Sequence, residues 1–316
     1  MKKKILFIGI NYYAYVGRIC HALESAGYEV DYHEIEPVDV LSKAWKKFFP
    51  NHYNSRLSRY HDDVIEKSSN TQYDIVLFIQ VHHFDFHRME KLRSIQKKAK
   101  FILYNWDSLG THDYRPWLKF FEKSCTFDPV DAENLDINYL PLFALDEYFT
   151  IDQRDSKEFD LYFVGAIGTF HRFRALREMW RYCRGNDLRI FFHLKCSPVM
   201  MFRLLVRGHY LPGMTLRSLG FADIVRLIGR SRCVFDFANH RQSGYTMRLI
   251  ENMCAGLKVV TENPRIRGEE FYRSDRFLVV ENLDFTEIRS FIEKPITSRL
   301  DTQPFHIESW AARLLS

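Results

Sequence analysis

The stretch 236–264 constrains the fold more than any other part of this sequence. It reads DFANHRQSGYTMRLIENMCAGLKVVTENP and directly follows a short apolar run, Cys233 to Phe235. Apolar residues recur at helical spacing from about Tyr245 to Ala255, Gly256 is a typical C-terminal stop, and residues 258–261 form a second apolar run. Strand, polar turn, helix and strand in this order predict one unit of a parallel α/β sheet.

The polar turn before this helix is suited to bind an anion. Ser243 or Gly244 is expected to cap the helix, because small polar residues are preferred at that position. The backbone amides of residues 244–247 would then point at a ligand, since ligands of open parallel sheets bind at this edge of the strands. The turn and the start of the helix therefore contain a set of predicted ligand-binding positions: His240, Ser243, Gly244, Tyr245 and Thr246.

Two charged residues lie one turn apart on the same face of the predicted helix. We expect one of Arg248 and Glu251 to contact a phosphate and the other to contact the hydroxyl pair of a ribose. The alternative is that they form an ordinary surface ion pair and that Gly256 is only a C-cap.

This stretch resembles a known donor site. The sequence ENMCAG at 251–256, followed by the two valines at 259 and 260, resembles the donor-site helix of GT-B glycosyltransferases. The longer phrase GYTMR at 244–248 is similar to bacterial transferases that build lipopolysaccharide and capsular polysaccharide. The resemblance implies an α/β protein with two Rossmann-like doubly wound domains that face a central cleft, and a C-terminal helix that crosses back to the N-terminal domain. It also implies that the ligand is a nucleotide sugar.

The remaining sequence also alternates between apolar strands and amphipathic helices. At 316 residues it is long enough for two domains, each with a proper core. We predict an N-terminal Rossmann-like acceptor-binding domain at 1–144, a C-terminal Rossmann-like nucleotide-sugar-binding domain at 145–303, and a last helix at 304–316 that packs on the N-terminal domain. The segment 141–155 contains turn-forming and charged residues, so we expect it to pass between the domains without a periodic core.

A second glycine-containing turn is expected to face the same donor. It follows the strand 160–164 and holds Gly165 and Gly168, which allow the backbone to approach a ligand closely. The basic pair that follows, His171 and Arg172, would meet a diphosphate. Alternatively, the two glycines serve only the tight turn.

Two strands of the first half deliver polar residues to one sheet edge. His82 follows the apolar run 73–80, and Asp107 follows 101–104 in the sequence YNWDS, which again resembles the acceptor domain of those bacterial transferases. We take His82 and Asp107 as candidates for the base that deprotonates an acceptor hydroxyl. Asp107 would alternatively cap the next helix. Two residues after the first strand are predicted to position the acceptor: Asn11 and Tyr13.

Composition and charge limit the partners. The formal charge of +5 and the pI near 8.8 favour an anionic ligand or membrane surface without requiring nucleic acid, and we predict none. The six cysteines form no CxxC pair, so neither a zinc knuckle nor a disulfide framework is indicated. No apolar run reaches the roughly 18 residues that a transmembrane helix needs. We therefore expect a cytoplasmic protein, or one peripheral on the inner face of the cytoplasmic membrane.

Two basic segments are the candidates for contact with an anionic membrane. The segment 43–61 carries Lys and Arg but no acidic residue, with Trp45, Phe48 and Phe49 between them. The alternative is a solvated helix whose aromatic side chains pack inward. The segment 199–219 is likewise apolar and basic, and it would face the cleft mouth, a membrane or the sheet.

Two absent motifs bear on the chemistry. The sequence has no Asp-x-Asp pair, which the metal-dependent alternative transferase fold usually needs, so we predict no metal and no cofactor. Retaining GT-B enzymes often carry a second glutamate eight positions before the one matched to Glu251, where this chain has Ser243. This difference favours inversion at the anomeric carbon.

The sequence therefore predicts a glycosyltransferase. It would move a sugar from a nucleotide-diphosphate sugar to a saccharide or glycolipid acceptor in bacterial surface polysaccharide synthesis. Two alternatives are a nucleotide-sugar epimerase of GT-B fold, which would need several carboxylates near the anomeric carbon, and a non-catalytic protein that binds a sugar nucleotide or glycolipid.

Overall fold

The computed structural model describes residues 2–11, 15–37, 39, 42, 45–46, 48–153, 156–237 and 242–316. The chain divides into two compact units. The first comprises Met1–Leu142, His240–Gly244 and Phe305–Ser316, and the second comprises Phe143–Asn239 and Tyr245–Pro304. Two residues predicted to bind ligands, Tyr13 and His240, lie outside the described residues.

The sheet of the first unit contains six strands among the described residues: β1 (Lys3–Gly9), β2 (Tyr28–Glu34), β3 (Ile75–Ile79), β4 (Lys100–Asn105), β5 (Lys123–Thr126) and β6 (Asn138–Tyr139). They pair in parallel in the order β2-β1-β3-β4-β5-β6. The central strands β1, β3 and β4 contain continuous apolar runs because helices cover both faces of such a sheet. The side chains from Ile5 to Ile8 are buried, and Ile5 is in register with Ile75.

The helices of the first unit follow the strands: α1 (Tyr15–Ser25), α2 (Pro50–Ser69), α3 (Phe86–Ile95) and α4 (Pro129–Leu135). The last helix of the described chain, at Ile307–Leu315, also belongs to this unit and packs against α1 and β4. Its Trp310 is 1% exposed and meets the ring of Tyr104 edge-on, with ring centroids 5.0 Å apart. These late residues therefore complete the core of the first unit.

The sheet of the second unit also contains six strands among the described residues: β7 (Leu161–Ile167), β8 (Ile190–Cys196), β9 (Met214–Thr215), β10 (Cys233–Asp236), β11 (Lys258–Thr261) and β12 (Phe277–Val279). They pair in parallel in the order β12-β11-β10-β7-β8-β9. Val234 is in register with both Val259 and Tyr162, which makes β10 a central strand.

The helices of the second unit, in chain order, are α5 (Asp146–Phe149), α6 (Phe170–Gly185), α7 (Pro198–Leu205), α8 (Phe221–Gly229), α9 (Met247–Cys254) and α10 (Ile288–Glu293), so the helix at Ile307–Leu315 is α11. Gly256 follows α9 with a φ of 80°, a left-handed conformation that glycine adopts without strain. This position confirms Gly256 as the stop of the predicted helix.

Two segments that the sequence analysis singled out differ in the burial of their apolar side chains. The segment 141–155 has no periodic apolar pattern, as expected, but it does contain core residues: Phe143, Ala144, Leu145 and Tyr148 are at most 2% exposed. Its apolar side chains are irregularly spaced, so periodicity does not reveal their burial. In the segment 43–61 the described aromatics do not all pack inward, since Phe48 and Phe49 are exposed.

The predicted α/β class, with two Rossmann-like units, is confirmed. Both sheets are parallel and six-stranded within the described residues, with helices in the connections, as the alternation of apolar strands and amphipathic helices predicts. None of the described helices combines the length and apolarity that crossing a bilayer would require.

Candidate functional site

The carboxyl edge of the second sheet is where the candidate site lies. Strands β7, β10 and β11 are neighbours and parallel, so they end at the same edge, at Ile167, Asp236 and Thr261. In open α/β sheets this is the edge at which ligands bind.

Asp236 accepts several hydrogen bonds at this sheet edge. Its carboxylate is 1% exposed and accepts hydrogen bonds from the Thr246 hydroxyl at 2.6 Å, from Nη1 of Arg248 at 3.0 Å and from the Thr261 hydroxyl at 3.4 Å. These bonds tie β10, β11 and the start of α9 together. Sequence reasoning gave Asp236 no role, although a carboxylate directly after a buried apolar strand marks the same sheet edge.

Arg248 packs against the middle of β7. Its Nε donates to the carbonyl oxygen of Val164 at 3.0 Å, and its guanidinium carbon lies 4.6 Å from the ring centroid of Phe163. A Cβ at Gly165 would be 2.8 Å from Nη2 of Arg248. Glycine at 165 therefore makes room for the guanidinium, a role that the sequence did not predict. The alternative of a surface ion pair with Glu251 is wrong, because Arg248 is 19% exposed and pairs with buried Asp236.

Arg172 brings a second guanidinium to this edge. Thr169 caps α6 by accepting from the Arg172 amide at 3.2 Å, which places Arg172 in the first turn. Its guanidinium donates to the carbonyl oxygens of Ala166 at 3.0 Å and Phe237 at 3.3 Å. Burial lowers the pKa of Arg172, and the positive charge of Arg248 lowers it further. The two predicted cations are therefore close enough to repel each other, and an anion between them would relieve that repulsion.

Glu262, directly after β11, is a further group that sequence reasoning missed. Burial raises the pKa of Glu262 to about 7, and the negative charge of Asp236 contributes to the rise. Near neutral pH this carboxyl is therefore partly protonated. The negative charge that Glu262 would add beside Asp236 is therefore reduced at this pH.

The start of α9 differs from the prediction. Thr246, and not Ser243 or Gly244, is the N-cap, because its side chain accepts from the Leu249 amide at 3.1 Å. The hydroxyl of Tyr245 donates to Glu269 at 2.6 Å. The helix accordingly begins at Met247, two residues later than predicted.

Ser243 and Gly244 belong to the first unit, where they bind Asp128. The Asp128 carboxylate accepts from the Ser243 amide at 2.6 Å and the Gly244 amide at 3.1 Å, and it also caps α4. A Cβ on Gly244 would be 2.6 Å from the Phe127 ring, so only glycine fits. The expectation that the Gly244 amide points at an anion is wrong, because a protein carboxylate already accepts its hydrogen bond.

The other predicted donor residues differ in their surroundings. Gly168 has open space where a Cβ would be, and exposed His171 lies 5.6 Å from Phe237, centroid to centroid. Glu251, by contrast, is only 8% exposed. Donor contacts at these three positions remain predictions.

The carboxyl edge of the first sheet brings together the ends of β3 and β4. Gln80, with a φ of 63°, donates from Nε2 to Oδ2 of Asp107 at 2.6 Å. His112 Nε2 lies 4.0 Å from the same Asp107 oxygen. Asp107 does not cap a helix, because the next helical turn begins at Arg115 with Tyr114 before it.

His82 stacks on His112, with ring centroids 3.6 Å apart and 8° between the ring planes. Burial lowers the pKa of His82 to about 3, and the nearby His83 and His112 contribute. His82 is thus a weak base, whereas His112 is 39% exposed and closer to a carboxylate. Sequence reasoning missed His112 because it lies in an irregular loop without periodic neighbours.

Of the two predicted acceptor residues, only Asn11 is described. Its Nδ2 donates to Oε1 of Glu34 at 2.5 Å. Glu34 ends β2, so Asn11 also lies at the carboxyl edge of the first sheet. Contact with an acceptor remains a prediction for Asn11 and Tyr13.

The fold belongs to the GT-B class, and it is shared with solved structures that match nearly the whole chain. A trehalose 6-phosphate synthase from Burkholderia multivorans is 10% identical, with 100% of this chain and 96% of that chain covered and a TM-score of 0.62. The lipopolysaccharide outer core galactosyltransferase WaaB is 15% identical, with 98% and 95% covered and a TM-score of 0.54. A UDP-GlcNAc 2-epimerase from Neisseria meningitidis, solved with UDP-GlcNAc bound, is 10% identical, with 99% and 98% covered and a TM-score of 0.56.

At these identities the likeness shows the fold and not the reaction. Transferases and epimerases both occur among the similar structures. No protein-family model matches the sequence, and no match is found among curated proteins.

Proposed function

We propose that this protein is a glycosyltransferase of GT-B fold. It transfers a sugar from a nucleotide-diphosphate sugar to a saccharide or glycolipid acceptor in bacterial surface polysaccharide synthesis, without a metal and with inversion. The observation that carries this proposal is the pair of guanidiniums, Arg172 and Arg248, at the carboxyl edge of the second sheet.

The chemistry of sugar transfer fits this pair. Negative charge develops on the nucleoside diphosphate as the anomeric bond breaks, and fixed cations stabilise that charge more in the transition state than in the bound donor. Arg248 is fixed by Asp236 and Val164, and Arg172 is fixed by two backbone carbonyls. Both side chains are thus oriented before a ligand arrives.

An inverting transfer also needs a base for the acceptor hydroxyl. The Asp107 and His112 side chains at the carboxyl edge of the first sheet support this role. Of these groups His112 is better suited than His82, since the lowered pKa of His82 makes its imidazole a poor proton acceptor near neutral pH.

Nucleotide binding is the first test. Thermal unfolding is followed with UDP, GDP, TDP and CMP, because a ligand that binds only the native state raises its stability. We expect one nucleoside diphosphate to stabilise the protein and the corresponding sugar nucleotide to be hydrolysed slowly without acceptor. If none of these nucleotides, up to millimolar concentration, shifts the unfolding temperature, the proposal fails.

One observation favours a second candidate, a nucleotide-sugar epimerase. Asp236 and Glu262 are two carboxyl groups whose charges interact at the same sheet edge, and epimerisation needs groups that remove and return a proton. Incubation of the sugar nucleotide alone, with proton NMR of the sugar, separates the candidates. A new epimer without acceptor supports the epimerase, whereas a glycosylated product only with acceptor supports the transferase.

A further inference from the structure

Residues 198–217 form an apolar and basic surface of the second unit, which we call the 198–217 surface. It comprises α7, the turn after it and the end of β9. Six of its large apolar side chains are between 51% and 67% exposed: Val199, Phe202, Leu205, Val206, Tyr210 and Leu216. This many exposed large apolar side chains within twenty residues indicate a surface that binds a partner or a membrane.

The helix α7 is apolar on both sides. Met200, Met201 and Leu204 face inward and pack on the core of the second unit. Val199, Phe202 and Val206 recur at helical spacing on the outer side, where they are exposed. A helix that is apolar all round is normally buried, so the outer side of α7 is built for contact with an apolar phase.

Charge identifies that phase. Between Leu188 and Ala222 the sequence contains no acidic residue, whereas Arg203, Arg207 and Arg217 are exposed within the surface. A second copy of this chain in a twofold contact would bring the same arginines opposite each other, which is unfavourable. An anionic bilayer satisfies both features, because apolar side chains enter the acyl boundary while arginines meet the headgroups.

We propose that the 198–217 surface binds the headgroup region of an anionic phospholipid bilayer. Binding is peripheral, since α7 has only eight residues and lies along the surface of the unit. The proposal deepens the proposed function in one respect. Helix α7 begins two residues after β8 ends, and Arg172 follows the end of β7. Because β7 and β8 are parallel neighbours, the start of α7 and Arg172 lie at the same edge of the sheet. A lipid-linked acceptor is the substrate that this placement favours, and only that consequence depends on the transferase assignment.

The test is sedimentation with vesicles of phosphatidylcholine alone or with phosphatidylglycerol. We expect binding to the anionic vesicles that weakens with added salt. Phe202→Ser with Val206→Ser should abolish this binding. Arg203→Gln with Arg207→Gln should weaken it about thirtyfold, because each charge contributes about fivefold. All four side chains are exposed, so thermal unfolding should be unchanged. Ile296→Ser, at another exposed apolar residue of the unit, is the matched control.

Three results would overturn the proposal. One is equal binding to neutral and anionic vesicles. Another is binding that survives the Phe202 and Val206 changes but is lost on Phe48→Ser with Phe49→Ser, which would assign the contact to the first unit. The third is a dimer, without vesicle binding, that Phe202→Ser dissociates. Nucleoside diphosphate binding is measured in the same samples, so a failed membrane contact is distinguishable from a failed transferase assignment.

Discussion

Asp236 accepts hydrogen bonds from both Arg248 and Thr246 on the same carboxylate oxygen, Oδ1, at 3.0 Å and 2.6 Å. The carboxylate is buried and the guanidinium is mostly buried. Arg248 therefore has two roles: it neutralises the buried Asp236 carboxylate, and it is proposed to bind a diphosphate. Substitutions of Arg248 distinguish these two roles only if the free energy of unfolding and nucleotide binding are both measured.

Arg248→Ala is expected to weaken nucleoside diphosphate binding about 10- to 100-fold, as the loss of one charge-assisted contact does. It should also lower the free energy of unfolding by about 3–5 kcal/mol, because it leaves Asp236 buried without its ionic partner. Adding Asp236→Asn should recover most of the stability but not the binding. Arg226→Ala, which removes an exposed arginine paired with Asp223, is the control and should change neither. Normal nucleotide affinity in the Arg248→Ala protein would contradict the site.

Gly165→Ala tests the packing of Arg248 without removing a charge. The new methyl group would lie 2.8 Å from Nη2 of Arg248 and 3.0 Å from the Phe163 ring, so the guanidinium must move. We expect a loss of nucleotide affinity of about tenfold or more, with a stability loss of about 1–3 kcal/mol. Gly185→Ala, where a Cβ meets nothing within 4 Å, is the matched control and should bind normally. Calorimetric titration of both variants decides the matter.

Glu262 predicts a pH dependence. Its pKa is raised from 4.5 to about 7 in the folded protein, so the folded state binds the proton more tightly than the unfolded state does. Its stabilising contribution is therefore present below pH 4.5 and is lost as pH rises through about 7, at a cost of about 1 kcal/mol after solvent screening. Nucleotide affinity should fall over the upper part of this range by up to about tenfold, because the Glu262 carboxyl becomes negatively charged and would repel the anion. In Glu262→Gln, neither the free energy of unfolding nor the nucleotide affinity should show this pH dependence. If the variant keeps the wild-type pH dependence, Glu262 is not its cause.

His112→Ala should lower the rate of sugar transfer about 10²- to 10⁴-fold while nucleotide affinity stays unchanged, as expected for loss of a general base. His82→Ala should have a smaller effect, through loss of the stacked ring. His21→Ala, at an exposed histidine of α1, should have none. The informative measurements are the rate of transfer and the nucleotide affinity of each variant, compared at one pH. Equal losses in the His82 and His112 variants would show that the stack matters and not the base.

The sequence predicts the parts of this protein that depend on local pattern. Apolar runs such as Ile5 to Ile8 predict the strands, and the basic residues that follow strand ends, Arg172 and Arg248, are predicted at the edge where they lie. The cap of α9 is not predictable in this way. Ser243 is a better cap by residue type, but its partner is Asp128, 115 positions away in the chain.

The other site residues were not predicted because their roles depend on burial and on distant neighbours. Asp236 and Glu262 are single acidic residues at strand ends. The local sequence does not show that Asp236 is buried and hydrogen-bonded, or that the pKa of Glu262 is raised. The sequence does not identify His112 as a site residue, because its neighbours His82 and Asp107 are brought beside it only by the folding of β3 and β4.

The placement of α11 determines when the first unit can finish folding. Trp310, Ala311 and Leu314 fill its core, yet the ribosome makes them only after the whole second unit. Until then the ring of Tyr104 lacks its contact with Trp310, so the growing chain exposes apolar surface that chaperones recognise. A fragment that stops after β6 would carry the same defect permanently.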